Sequence, residues 1–363
     1  MTRWLLAGGG TGGHVNPLLA VADRLVAEGD EALVLGTAEG LESRLVPERG
    51  YELLVIPRVP FPRRLNGAAL RFPGAVTGSI ALTGRYLADR GIDGVIGFGG
   101  YAAAPAYLAA RRRGVAFAIH EQNAKPGMAN RLGARMTRAV GVTFPDTPLP
   151  HAVRVGMPLR REIADLDRAA LRAEARSFFG FDPARPVLLV TGGSLGARQL
   201  NRAVVGNAAA LLAAGWQVLH LAGGRNEEPD PGLDGYRMLA YCDRMDLALA
   251  AAELAVSRAG ASTVSELSAL GLPAVYVPYA VGNGEQRFNA AGVVAAGGAV
   301  LEEDAAFTPQ RFAEVVLPLL RSPERIAAMA EAATGDGVRD GAERMTRLAR
   351  AGLDGSARVP SGA

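Results

Sequence analysis

Two glycine-rich turns are the stretches of this chain best suited to chemistry. The first is Gly8-Gly9-Gly10-Thr11-Gly12-Gly13-His14, and the second is Thr191-Gly192-Gly193-Ser194-Leu195-Gly196-Ala197. Each follows an apolar run, Trp4–Ala7 or Pro186–Val190, and each leads into a helical pattern. Strand, glycine turn and helix in that order present bare backbone N–H groups and the positive end of a helix to a phosphate. A third cluster runs Ser257-Arg258-Ala259-Gly260-Ala261-Ser262-Thr263-Val264-Ser265-Glu266. Gly260 makes its turn, Ser262 and Thr263 stand where a helix would begin, and Glu266 falls at capping-box spacing from Thr263. Its hydroxyls and N–H groups suit a phosphate and its carboxylate a ribose diol; simple helix capping is the structural alternative. His120-Glu121-Gln122-Asn123 closes another apolar run, where consecutive polar side chains make poor core material. Gln286 and Asn289 share a helix face on which amides can read sugar hydroxyls.

The elements that must position these groups alternate between strand and helix. In the first half, strands are predicted at Arg3–Ala7, Glu31–Gly36, Tyr51–Ile56, Gly94–Gly97, Ala116–His120 and Ala139–Val142, with helices at Pro17–Glu28, Ala102–Arg113 and Pro126–Arg135. The second half repeats the style, with strands at Val187–Val190, Trp216–Leu221, Arg237–Ala240, Leu254–Val256 and Pro273–Pro278, and a helix at Arg198–Leu212. Short connections between such elements predict doubly wound parallel sheets, whose ligands sit beyond the carboxyl ends of the strands. The fold class is α/β, two Rossmann-like domains facing one cleft. The domains are 1–158 and 159–337, joined through Arg154-Val155-Gly156-Met157-Pro158, with an amphipathic helix at 338–352 returning to the first domain and a flexible tail at 353–363. Residues 57–90 break the pattern: Pro57-Arg58-Val59-Pro60-Phe61-Pro62-Arg63-Arg64 mixes cations and apolar groups before Leu70-Arg71-Phe72-Pro73. This stretch reads either as a surface loop feeding a core helix or as a patch whose arginines meet anionic headgroups while Phe61, Leu65, Leu70 and Phe72 enter the interface.

Composition removes several classes. With 363 residues, 49% hydrophobic and 21% charged, the chain has enough apolar material for two cored domains and is not disordered. A net charge of +3 without a basic, aromatic-studded stretch argues against nucleic acid. The single cysteine, Cys242, excludes an internal disulfide framework. No signal peptide and no membrane-spanning run of about 18 apolar residues is seen, so a cytosolic or inner-face protein is expected. Gly8, Gly10 and Gly13 also match G-x-G-x-x-G, but a nicotinamide enzyme wants an acidic residue at the end of the second strand, about 20 residues on. That strand ends Leu35-Gly36-Thr37, with Glu31 at its wrong end, so hydride chemistry is set aside. No Lys-Ser/Thr follows the glycines as a Walker pattern requires. Histidines 14, 120, 151 and 220 lack ligand spacing, and Asp165-Leu166-Asp167 reads as a solvated helix face. No metal and no cofactor is expected; departing phosphate charge would be met by N–H groups and helix starts.

Taken in order, Gly9-Gly10-Thr11-Gly12-Gly13-His14-Val15-Asn16-Pro17, Gly97-Phe98-Gly99-Gly100-Tyr101, His120–Asn123, Gly192–Arg198 and Arg258–Glu266 resemble the MurG family, bacterial N-acetylglucosaminyltransferases of peptidoglycan synthesis with the two-domain GT-B fold. The resemblance covers nearly the whole chain. It implies inverting, metal-independent transfer from UDP-N-acetylglucosamine to the 4-hydroxyl of the muramyl sugar of lipid I (undecaprenyl-pyrophosphoryl-muramyl-pentapeptide), giving lipid II and UDP. It also implies a peripheral protein on the cytoplasmic face of the cell membrane, with an anionic inner-membrane surface and other cell-wall synthesis proteins as partners. For the donor it implies contacts from Arg160, Ser194, the backbone at Cys242, Ala261, Ser262, Thr263, Val264, Ser265, Glu266 on the ribose, and Gln286 and Asn289 at the sugar. Thr11, Gly12, Gly13 and Asn123 would close over the donor from the first domain. Met157, Leu195 and Gly282-Asn283-Gly284-Glu285 depart from the common family pattern. Transfer needs a base near the acceptor hydroxyl. His14, with its pKa near neutrality and its place on the first loop, is the first choice; Glu121 is second, or else holds His120. The rival readings are another GT-B UDP-sugar transferase, an epimerase of the same fold, and a nucleotide-sugar sensor without catalysis.

Overall fold

The computed structural model describes residues 1–60, 67–193, 196–279 and 284–355, with only the backbone of 67–70. In it the strand–helix alternation becomes two parallel sheets in two compact units, Met1–Arg160 with Arg339–Ala363, and Arg161–Val338.

In the first unit the strands are β1 (Arg3–Ala7), β2 (Glu31–Gly36), β3 (Leu53–Val55), β4 (Gly94–Gly97), β5 (Ala116–Glu121), β6 (Val140–Val142) and β7 (Ala152–Arg154). They lie in the order β3-β2-β1-β4-β5-β6-β7, every neighbour parallel, with Leu5 opposite Leu33 on one side and Val95 on the other. Their helices are α1 (Gly12–Ala27), α2 (Glu42–Glu48), α3 (Gly67–Asp89), α4 (Gly100–Arg113) and α5 (Met128–Gly133). Helices cover both faces, so these strands read as continuous apolar runs. Tyr107, Phe117 and Ile119 pack on the α3–α4 side. Trp4, Leu6, Leu18, Leu25 and Phe98 pack on the α1 side.

The second unit holds α6 (Arg161–Ala164), α7 (Arg168–Phe178), β8 (Val187–Thr191), α8 (Arg198–Val205), α9 (Ala208–Ala213), β9 (Gln217–Leu221), β10 (Tyr236–Leu239), α10 (Met245–Ala251), β11 (Leu254–Ser257) and α11 (Ala261–Ala269). After these come β12 (Ala274–Tyr276), α12 (Glu285–Asn289), α13 (Ala291–Ala295), β13 (Ala299–Leu301), α14 (Pro309–Leu320) and α15 (Pro323–Asp336). The sheet order is β10-β9-β8-β11-β12-β13, again all parallel. The last helix, α16 (Gly341–Leu353), buries Met345, Leu348 and Ala349 in the α1-side core of the first unit. Arg350 on α16 reaches Asp30 at 2.9 Å and also pairs with Glu28.

Several elements differ from the sequence reading. Helix α1 begins at Gly12, not Pro17, because Thr11 is extended (φ −133°) and turns the chain directly into helix. The helix expected over 198–212 is broken: the Asn207 amide donates to Ala203 O and Pro309 O, both at 2.8 Å, and takes over the Ala203 carbonyl that a continuous helix would offer to the Asn207 N–H. Asp167 is a helix cap, accepting from Ala169 N at 3.0 Å and Ala170 N at 3.1 Å, and Leu166 beside it is buried. That overturns the solvated-face reading of Asp165-Leu166-Asp167. Strands β7 and β13, three residues each, were not anticipated. The stretch 57–90 is mostly the long helix α3, while Phe61 and Leu65 lie outside the described residues.

Candidate functional site

In each sheet one pair of adjacent central strands marks where the winding reverses, β1 with β4 and β8 with β11. At such a reversal the following connections diverge and leave a crevice beyond the carboxyl ends of the two strands. Gly8–Gly10 and Phe98–Gly100 occupy that place in the first unit, and Gly192–Gly193 and Arg258–Gly260 occupy it in the second. The glycines are dictated by contact. Gly100 has φ +75°, and a Cβ there would stand 2.6 Å from the Gly9 carbonyl oxygen. Gly196 has φ +82°, and a Cβ would stand 2.3 Å from Ala222 O.

His14 lies in the first turn of α1 rather than on a loop. Its Nδ1 is 3.0 Å from the Thr11 hydroxyl, and the Gly9 carbonyl accepts a hydrogen bond from the ring. Burial lowers its pKa; the Glu42 charge and the Gly9 carbonyl act in the other direction. Thr11 and Gly13 are exposed beside it and Gly12 is half-buried.

Glu42 was missed by the sequence reading. It is 1% exposed, and its carboxylate accepts from Gly10 N at 2.7 Å, Thr37 N at 3.0 Å and the Thr37 hydroxyl at 2.8 Å. Burial pushes its pKa up, but the donated bonds from Gly10 and Thr37 outweigh this and hold it below the ordinary range. The Gly10 N–H therefore faces an internal anion instead of a ligand. The carboxylate follows the second strand, as in a nicotinamide site, but is spent on the turn and is not free for a ribose. Glycines 36 and 40 around it were the available signal.

The His120–Asn123 cluster is a buried network. His120 Nε2 donates to Gly156 O at 2.9 Å, and burial lowers its pKa to about 4. Glu121 does not hold His120. Its carboxylate accepts from Asn123 N at 3.0 Å, Gly127 N at 2.9 Å and Asn130 Nδ2 at 2.9 Å. Burial raises its pKa, and those bonds oppose the rise. Asn130 also donates to His120 O at 3.0 Å and accepts from the Tyr107 hydroxyl at 2.7 Å. Glu121 thus shapes the turn on which Asn123 sits half-buried.

In the second unit Ser194 lies outside the described residues, as does Leu195. Flanking them, Gly193 has φ +84° and Gly196 N donates to Gly193 O at 2.9 Å. Helix α11 begins at Ala261 with Gly260 as its cap and no side-chain bond, so the capping box expected from Thr263 and Glu266 is not formed. Thr263 is already inside the helix, a turn too late to cap it. Ser262 Oγ is buried without a hydrogen-bond partner among the described residues. Ala261 and Val264 are buried, while Thr263, Ser265 and Glu266 are half-buried. A helix start with no side-chain cap and an orphan hydroxyl suits an anion. Cys242 is buried and its thiol pKa is raised by that burial.

Gln286 Oε1 accepts from Tyr279 N at 2.9 Å, which fixes the orientation of its amide. Asn289 is 1% exposed and donates to Ala259 O at 3.3 Å, so it braces the turn before α11. Arg258, named only as part of the motif, ties the same region together through Val277 O at 2.9 Å and Asp304 at 2.7 Å. Arg160 is half-buried at the end of the first unit, next to buried Met157. Among the described residues no group of three or more His, Cys, Asp or Glu is placed to hold a metal ion.

Two parallel α/β sheets, each with glycine turns at its reversal point, define a two-domain protein of nucleotide-fold type. Residues 4–142 match the glycosyltransferase family 28 N-terminal domain and residues 187–345 the family 28 C-terminal domain. The chain belongs to glycosyltransferase family 28 and, within it, to the MurG family. It is 62% identical to the UDP-N-acetylglucosamine--N-acetylmuramyl-(pentapeptide) pyrophosphoryl-undecaprenol N-acetylglucosamine transferase of Leifsonia xyli subsp. xyli, over 97% of this chain and 99% of that one. The transferase of the same name from Streptomyces coelicolor is 52% identical over 93% and 94%. Among solved structures, Acinetobacter baumannii MurG superposes with a TM-score of 0.77 at 27% identity, covering 96% of this chain and 99% of that one. A putative UDP-N-acetylglucosamine 2-epimerase from Listeria monocytogenes, at 13% identity and TM-score 0.68, shares the fold.

Proposed function

We propose that this chain transfers N-acetylglucosamine from UDP-N-acetylglucosamine to the 4-hydroxyl of the muramyl sugar of undecaprenyl-linked lipid I, with inversion, releasing lipid II and UDP. The observation that carries the reading is the 62% identity, across 97% of the chain, to a transferase named for this donor and a lipid-linked muramyl-pentapeptide acceptor. The acceptor oxygen attacks the anomeric carbon as the bond to the diphosphate breaks, and the acceptor proton passes to a base on the protein. His14 is that base. Its imidazole is neutral at physiological pH, since burial lowers its pKa, and an uncharged ring is ready to accept a proton. Glu121, whose carboxylate accepts from Asn123, Gly127 and Asn130, is read as holding the Asn123 turn.

The donor is assigned to the second domain, residues 159–337, and the acceptor to the first, 1–158 with the last helix. The diphosphate would meet the start of α11 at Ala261–Ser265 and the Gly193–Ser194 turn. Glu266 would take the ribose, the Cys242 backbone the uracil, Gln286 the sugar, and Arg160 a phosphate charge. Asn289 supports the site through Ala259. Thr11, Gly12, Gly13 and Asn123 would contact substrate from the first domain. No helix among the described residues is long and apolar enough to cross a membrane. A peripheral position on the cytoplasmic face is supported by the lipid-linked acceptor and by the cations of 57–90, with Arg111, Arg112 and Arg113 exposed at the end of α4. Other cell-wall synthesis proteins are proposed partners there.

The test is UDP release from UDP-N-acetylglucosamine with and without a short-chain lipid I analogue, for wild type and His14→Ala. Acceptor-dependent release that falls about a hundredfold or more in the variant supports both transfer and base. Release that survives the substitution keeps the transferase and removes His14 as base. Donor binding without release under any acceptor would point to a sensor.

A further inference from the structure

Glu42 is a buried carboxylate that the transfer chemistry above does not use. Its surroundings are built for it. A Cβ on Gly9 would stand 2.2 Å from Glu42 Oε1, one on Gly40 would stand 2.0 Å from Oε2, and one on Gly36 would stand 2.5 Å from its Cγ. It forms no ion pair with a described residue and is held by backbone and hydroxyl donors alone. Burying an ion this way is unfavourable unless its hydrogen bonds compensate.

We propose that Glu42 is a positioning residue for the transfer: its carboxylate fixes the Gly10 turn that carries Thr11 and His14, and its negative charge acts on the His14 ring. Gly10 has φ +89°, and its N–H is turned inward onto Glu42 at 2.7 Å. Thr11 caps α1 directly after that turn, and His14 follows within the first helical turn. The carboxylate therefore sets the direction in which the Thr11–His14 pair leaves the sheet.

The charge acts as well as the shape. The Glu42 charge on α2 raises the proton affinity of the His14 ring against burial. Other charges on neighbouring elements are committed elsewhere: Glu343 on α16 faces Arg24, and Arg350 faces Glu28 and Asp30. Arg58, stacked on the Tyr101 ring at 4.7 Å, feels the fields of Glu39 and Glu42. From the α4 side His14 meets the Gly99 backbone, which carries no charge.

This inference rests on His14 as the base, so the experiment separates the two. The probes are ring-proton titration of the four histidines by NMR, with His14 assigned through His14→Ala, and pH profiles of kcat and donor KM for wild type, Glu42→Gln and Glu42→Asp. In Glu42→Gln the His14 titration and the acid limb of kcat both move to lower pH. At the same time kcat falls roughly tenfold to a hundredfold, as for a small misplacement of a reacting group. Glu42→Asp keeps the charge and therefore the position of the acid limb, while its shorter reach lowers kcat. A Glu42→Gln enzyme that loses rate equally at every pH, with the His14 titration unmoved, overturns the proposal. Should Glu42→Gln fail to fold, a Glu42→Asp enzyme with wild-type kcat overturns it. If His14→Ala retains its rate the base assignment fails, while the NMR titration still reads Glu42.

Discussion

Replacing Asn130 by alanine should cost more than its size suggests. Its side chain is buried and closes three hydrogen bonds, to the Tyr107 hydroxyl at 2.7 Å, His120 O at 3.0 Å and Glu121 Oε2 at 2.9 Å. The variant leaves the Tyr107 hydroxyl buried without that acceptor, while the His120 carbonyl keeps a bond from Gln122 Nε2 at 3.3 Å. Glu121 keeps its two backbone donors, Asn123 N and Gly127 N. The orphaned neutral hydroxyl costs about 1–3 kcal/mol, so the loss is about 2 kcal/mol, a sizeable share of a typical stability of roughly 5–15 kcal/mol. At about 2–4 °C per kcal/mol for a domain of this size, the melting temperature should fall by roughly 4–8 °C. The assay is urea and thermal unfolding of Asn130→Ala beside Asn130→Asp. The aspartate sets a second carboxylate against Glu121, so it should be less stable at pH 8 than at pH 5, where the pair can hold a proton. A loss below about 1 kcal/mol in Asn130→Ala would refute the argument, because it would mean that the orphaned hydroxyl finds another partner at no cost.

Ser262→Ala should separate the ligand reading of α11 from a structural one. The hydroxyl has no partner to lose, so unfolding should be unchanged, while the dissociation constant for UDP-N-acetylglucosamine, by calorimetry, should rise about tenfold for one lost bond to an anion. An unchanged constant would remove Ser262 from the donor site. His120 and His220 should make stability depend on pH, since burial lowers each pKa from 6.5 to about 4. Above pH 6.5 both are neutral in the folded and unfolded chain. As pH falls from there towards 4 the unfolded chain takes up protons that the folded one refuses, and stability is lost by up to about 3 kcal/mol per histidine. Urea midpoints of wild type and His220→Gln across that window should converge as pH falls, and parallel curves would contradict the assignment.

The glycine turns were legible because their requirement is local: a positive φ and a close backbone approach admit no other residue, as at Gly100 against Gly9 O. The parallel sheets were legible from apolar runs between helical patterns. What escaped depends on distant partners. Glu42 meets Gly10 across 32 positions, and Asn207 meets Pro309 across 102, so neither the buried carboxylate nor the broken helix leaves a periodic trace. Glu266 at capping spacing from Thr263 suggested a helix start that the strand end at Ser257 and the turn at Gly260 moved upstream. Strands β7 and β13 are too short for alternation or apolar content to mark them. The candidate site residues stand in clusters along the sequence, and only the fold separated those that touch solvent from those, like Asn289, that brace others.

The return of α16 to the first unit sets an order of assembly during synthesis. Residues 161–338 form an uninterrupted segment, whereas the first unit needs residues from both ends of the chain. Nascent chains ordinarily complete their amino-terminal domain first. Here the face of β4, β5 and β6 that receives Met345, Leu348 and Ala349 stays uncovered until α16 leaves the ribosome. The middle of the polypeptide can therefore finish folding before its beginning does. Ribosome-bound intermediates would carry Ala118, Ala139 and Val155 as a waiting apolar surface, one that a stop codon after Val338 would leave permanently open.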